Sequence, residues 1–116
     1  MRRKRFQSPL LEQPTLKLDE DGSILEISTT ALRMLEHTQK SDALKSCFFS
    51  LVHGKNLYQV MRDVADMVCY GKSRASWLLR LETGMSRWRW YRVSARNNLS
   101  TPDPGILLTL EEVHEW

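Results

Sequence analysis

Between Asn56 and Tyr70, apolar residues recur at Leu57, Val60, Met61, Val64, Met67 and Val68, a spacing that lays one stripe along a helix. This predicts the longest helix of the chain. Asn56 is its expected cap with Gln59 as reciprocal partner, Arg62, Asp63 and Asp66 form its solvated side, and Gly71 stops it. After Gly71 the period falls to two. Trp77, Leu79 and Leu81 alternate with Ser76, Leu78, Arg80 and Glu82, Gly84 turns the chain, and a long strand runs from about Arg87 to Arg96. A turn-rich loop from Asn97 to Gly105 then leads to a last strand, Ile106 to Val113.

Upstream of the long helix the elements are shorter. Leu16 and Leu18 alternate with charged residues, Asp19-Glu20-Asp21-Gly22 has turn chemistry, and Ile24 to Ile27 is apolar again, which predicts a hairpin. Ser28, Thr29 and Thr30 offer caps for a short helix carrying Ala31, Leu32, Met34 and Leu35 on one face. From Gln39 to Lys45 the chain is polar, and no element is assigned there. Cys47 to Val52 is a compact apolar cluster, read as one or two helical turns. Strands grouped at both ends and helices grouped between them describe an α+β domain with an antiparallel sheet.

A chain of 116 residues has room for one core. Its net charge of +3 lies entirely in residues 1–15, where Arg2, Arg3, Lys4 and Arg5 face Glu12 alone; from Leu16 onward acids and bases balance. We therefore expect a basic flexible arm over 1–15, a domain over 16–113 and the start of a connector over 114–116. The longest uncharged run, Ser46 to Gly54, is too short to span a bilayer, and Pro9, Glu12 and Pro14 interrupt any secretory signal. Cys47 and Cys69 form no Cys-x-x-Cys pair, which fits a reducing, cytoplasmic setting.

Four segments in order resemble the PAS domain family. They are Asp21-Gly22-Ser23-Ile24-Leu25 followed by Ala31 to Leu35; Phe48 to His53 followed by Leu57 and Val60; Arg80 to Gly84 leading to Arg87 to Val93; and Thr109 to His114. The family's Pro-Asp-Asp is Gly54-Lys55-Asn56 here, and its Asp-Ile-Thr type closing signal is Glu112-Val113-His114. The resemblance implies a five-stranded antiparallel sheet with short helices and one longer helix on one face. It also implies a non-enzymatic sensory or dimerisation module of a signal-transduction protein, with an output domain downstream.

Relatives of this kind bind a small ligand, haem or flavin between helices and sheet, or bind nothing. The flavin-binding branch carries Asn-Cys-Arg-Phe-Leu-Gln, whereas this chain reads Ser46-Cys47-Phe48-Phe49-Ser50-Leu51, without the polar groups a flavin needs. Haem-binding relatives place an axial histidine on the long helix, and Asn56 to Tyr70 has none. No cofactor is expected. A ligand pocket, if the domain has one, would be lined by Met34, Leu35, Met61, Val64, Leu79, Tyr91 and Leu108, residues that serve equally as core. For catalysis, Asp19, Glu20 and Asp21 form a turn cluster and no nucleophile stands beside a base.

The segment Lys72 to Arg96 carries seven basic residues against Glu82 alone, interleaved with Trp77, Trp88, Trp90 and Tyr91. Nucleic-acid binding through Arg87 to Arg96 is one reading, since aromatic faces stack bases and arginines hold phosphates. The neutrality of the domain favours a protein partner instead. Alternation along the strand puts Tyr91, Val93 and Ala95 in the core and Trp88, Trp90 and Arg92 on the outer face, where a second copy of the chain would cover them. A bulge after Gly84 would shift the phase and bury a tryptophan, and the sequence leaves both arrangements open.

Overall fold

The computed structural model of the chain describes residues 13–44 and 46–114. The element order is β1 (Thr15–Leu18), β2 (Ile24–Ile27), α1 (Thr29–Met34), α2 (Lys40–Leu44), α3 (Phe48–Leu51), α4 (Gly54–Tyr70), β3 (Arg74–Glu82), β4 (Trp88–Asn97) and β5 (Ile106–Glu112). All five strands join one antiparallel sheet in the order β2-β1-β5-β4-β3, so the first strands of the chain meet the last at its centre. The α+β class and the five-stranded sheet are as expected. Among the described residues no helix is long and apolar enough to cross a membrane.

Thr15, assigned to the arm, instead opens β1 opposite Thr109, and the carbonyl of Pro14 accepts from the Leu110 amide. The remainder of the arm, 1–12, and residues 115–116 of the connector lie outside the described residues. In the first hairpin the Asp19 carboxylate accepts from the amides of Asp21 and Ser23, both at 2.9 Å, and Gly22 takes φ +86°. That acidic turn is therefore structural. A register shift between Lys17 and Leu18 lets both Ile24 and Ile27 reach the core while Leu25 and Glu26 stay outside.

Ser28 caps α1 by accepting from the Ala31 amide, and its hydroxyl also accepts from the Thr15 amide. The sequence reading did not assign α2, which is barely more than one turn long and buries only Ala43. At α4 the helix begins two residues earlier than expected. Its cap is His53, whose Nδ1 accepts from the Lys55 amide at 3.1 Å. Asn56 is drawn away: its side-chain Oδ1 accepts from the Arg80 amide at 3.0 Å and from Arg80 Nε at 3.3 Å, tying the helix to the edge of the sheet. Asp63, expected on the solvated side, also faces β3 and accepts from Trp77 Nε1 at 2.7 Å and from Lys72 at 3.0 Å. Burial pushes this carboxyl up, but the two donors outweigh it and hold it below the ordinary range. Gly71 closes the helix in the left-handed region at φ +72°.

The core lies between α4, the short helices and the inner face of the sheet. Val60, Val64 and Met67 meet Trp77, Leu79, Leu81, Tyr91, Val93, Ile106 and Leu108 there, whereas Met61 and Val68 remain exposed. At one end, the β3–β4 turn closes onto the end of α1. Gly84 donates its amide to the Leu35 carbonyl at 2.8 Å, and Thr83 Oγ1 donates to Glu36 Oε1 at 2.6 Å. The Arg87 guanidinium donates to both oxygens of the same carboxylate. Glu36 itself sits at φ +62°.

Two predictions follow from this junction. A Cβ on residue 84 would stand 2.5 Å from the Glu36 carbonyl oxygen, so Gly84→Ala should destabilise the domain by about 1–3 kcal/mol in a urea titration, because backbone must shift to admit it. The hydrogen bond from Arg87, then that from Thr83, holds Glu36 at about 2, against an ordinary 4.5. A carboxyl depressed in the folded state contributes stability above its unfolded value and loses it as pH falls through the folded one. Urea midpoints of the wild type should therefore decline between pH 4.5 and 2 more steeply than those of Glu36→Gln. Equal slopes would show that this carboxylate is not a source of acid sensitivity.

Candidate functional site

The structure separates the two sets of candidate residues. Leu35, Val64, Leu79, Tyr91 and Leu108 converge in the interior, each at most 3% exposed. Met61 does not join them: it is 46% exposed on the outer side of α4, because Val60, Val64 and Met67 already fill the face turned to the sheet. Met34 is half-buried and lines a surface cleft with Thr30, Arg33 and Glu112. Ligand pockets need a few convergent polar groups among apolar walls. Here the Tyr91 hydroxyl donates to the Met34 carbonyl at 3.2 Å, and burial pushes that phenol up to about 12. Thr83, the one buried polar residue among the described residues, is already bonded to Glu36.

The outer face of the sheet is chemically richer. The β3–β4 ladder runs without interruption from Arg74 opposite Arg96 to Glu82 opposite Trp88, so no bulge shifts the phase after Gly84. Tyr91, Val93 and Ala95 are consequently buried, while Trp88, Trp90 and Arg92 point away from the core. Trp88 is 49% exposed and meets the His53 ring edge to face at 4.9 Å. Trp90 lies beneath Arg80, whose guanidinium carbon is 4.7 Å from the ring centroid. Next along the strands, Leu78 stands opposite Arg92, and Arg92 opposite Glu111, with 3.5 Å between the charged groups.

These pairings create rows that alternation alone does not reveal. Ser76, Ser94, Thr109 and Thr15 are successive cross-strand partners on β3, β4, β5 and β1, a line of hydroxyl-bearing side chains across the outer face. Beyond it lie Arg74, Arg96, Leu107 and Lys17. The basic strand is also less bare than its composition implies. Arg87 pairs with Glu36, Arg89 with Glu112 at 2.8 Å, Arg92 with Glu111, and Arg80 is held by Asn56 and Trp90. Alternation along β4 points to Trp88, Trp90 and Arg92 but not to Leu78, Arg80 or the hydroxyl row, since membership in a row depends on register.

Both cysteines are free, Cys69 on the exposed side of α4, and no group of described His, Cys, Asp and Glu residues is placed to hold a metal ion. The His53 ring and the Trp88 ring it touches lie beside β3, where the His53 amide donates to the Arg80 carbonyl.

No protein-family model and no curated protein matches the chain. Solved structures do. The PAS-B domain of Drosophila melanogaster Cycle, with bound ethylene glycol, aligns with a TM-score of 0.72 at 12% identity, over 86% of this chain and 99% of that one. A domain of a sensory box sensor histidine kinase/response regulator from Geobacter sulfurreducens aligns at 0.70 and 16% identity, over 86% and 82%. The PAS domain of the Cronobacter turicensis quorum-sensing receptor RpfR, in complex with BDSF, aligns at 0.69 and 12% identity, over 88% and 94%. The described chain thus has the PAS fold, in agreement with the resemblance carried by its four sequence segments.

Proposed function

We propose that this is a non-enzymatic sensory and interaction domain of a signal-transduction protein, and that it forms a homodimer through the outer face of its sheet. The observation that carries this reading is the exposure of Trp88 at 49% and Leu78 at 38% on the side of the sheet away from the helices. Large apolar groups left in water on a flat sheet favour burial by a partner. The same face is self-complementary in charge. Arg92 and Glu111 are neighbours on adjacent strands, so a two-fold axis passing between them would set Arg92 of each copy against Glu111 of the other. The fold it shares with domains of a sensor histidine kinase and a quorum-sensing receptor supports the signalling role. In this reading the interior is packed core, the domain carries no cofactor, and it acts within a longer cytoplasmic chain through its surface.

Replacing both Trp88 and Trp90 by Ala should weaken self-association by about thirtyfold or more, the effect of removing a tryptophan anchor from an interface. Native mass spectrometry across a concentration series reads this, with circular dichroism melting as the check that the variant remains folded. A wild type that stays monomeric throughout, or a double variant that dimerises equally well, would sink the homodimer. The absence of a chromophore is checked separately: the purified protein should absorb only in the aromatic band, and a visible or near-ultraviolet flavin or haem band would overturn that part.

A further inference from the structure

We propose that an open cleft on the outer face of the sheet, at the end remote from Trp88, binds a phosphate-class dianion. The cleft has a volume of about 550 Å³ and is bordered by Arg74, Arg96, Ser76, Ser94, Thr109 and Gln13. Along β4, Arg96 lies eight residues from Trp88, roughly 26 Å at the rise of a strand, so the site goes beyond the tryptophan surface and does not rest on dimerisation.

Three observations point to an anion. Arg74 and Arg96 are direct cross-strand partners, a like-charge juxtaposition that costs a sheet stability unless something offsets it. Both are exposed, and neither guanidinium has an ion pair or hydrogen bond among the described residues, whereas those of Arg80, Arg87, Arg89 and Arg92 are all engaged. The next row inward supplies Ser76, Ser94 and Thr109, whose hydroxyls are likewise without hydrogen-bond partners among the described residues. Two guanidinium forks beside three hydroxyl donors match a tetrahedral dianion better than a planar carboxylate, which one fork satisfies. Lys17, in the same row as the arginines, is committed to Glu26 and to Asp103 at 2.5 Å, so it does not compete for the ligand. The basic residues 2–5 have the wrong sign to neutralise this rim.

The dianion is either a small phosphomonoester or a phosphorylated side chain of a partner protein, and the experiment separates them. Thermal unfolding and calorimetric titration of the intact chain would be run with inorganic phosphate against chloride at matched ionic strength, with a phosphoserine peptide and its unphosphorylated twin, and with a single-stranded oligonucleotide. Phosphate should raise the melting temperature saturably where chloride does not. Arg74→Gln and Arg96→Gln should each weaken phosphate binding about tenfold or more. In phosphate-free buffer the same variants should melt no lower than the wild type, because each removes a like charge; this guards against reading a folding defect as lost binding. Tighter binding of the phosphopeptide than of phosphate identifies a protein source, and binding of phosphate alone a small phosphomonoester. A wild type that treats phosphate and chloride alike, a phosphate response retained in both variants, or a preference for the oligonucleotide over both monoester probes overturns the proposal.

Discussion

The contact on which the architecture turns is the one between Glu36 and the β3–β4 turn. A short helix such as α1 has little stability of its own, and α1 buries only Ala31 between its ends. What locates the helical layer at this end is the cluster in which Thr83 and Arg87 both donate to one carboxylate while Gly84 reaches the Leu35 carbonyl. The arrangement needs a left-handed residue at Glu36 and a residue without a side chain at Gly84, where a Cβ has no space. At the other flank, Asn56 and Asp63 fasten α4 to β3 through Arg80, Trp77 and Lys72. The core between these two anchors is built mainly of buried apolar side chains.

Much of this fold was legible in the chain because its strands alternate cleanly. Tyr91, Val93 and Ala95 form an apolar series interrupted by Arg92 and Ser94, which offered the outward tryptophans as one of two arrangements, and the unbroken β3–β4 register decides between them. The helix stripe of α4 was legible in its period but not in its width. Met61 and Val68 belong to the pattern yet sit beyond the arc that touches the sheet, and Asp63 reads as solvated although its carboxylate serves Trp77. Caps are decided by competition. Asn56 is the better capping residue by chemistry, but the unpaired edge of β3 claims its side-chain Oδ1 and leaves the task to His53.

The outer face was legible only in part, for a different reason. Sequence tells which residues point outward, whereas the identity of neighbours across the sheet depends on register between strands far apart in the chain. Ser94 and Thr109 are fifteen positions apart, and Thr15 is further still, yet they form one line. The same register sorts the basic residues: four arginines find a partner and two are set against each other.

The central position of β1 beside β5 has a mechanical consequence. These strands are antiparallel, so the chain enters β1 and leaves β5 at the same end of the sheet, with the Pro14 carbonyl and the Leu110 amide closing that end. Tension applied between segments attached on the two sides would load these hydrogen bonds one after another, as a zip opens, and not all together in shear. Such a load would fall first on the middle of the sheet, between the β1–β2 and β3–β4 hairpins.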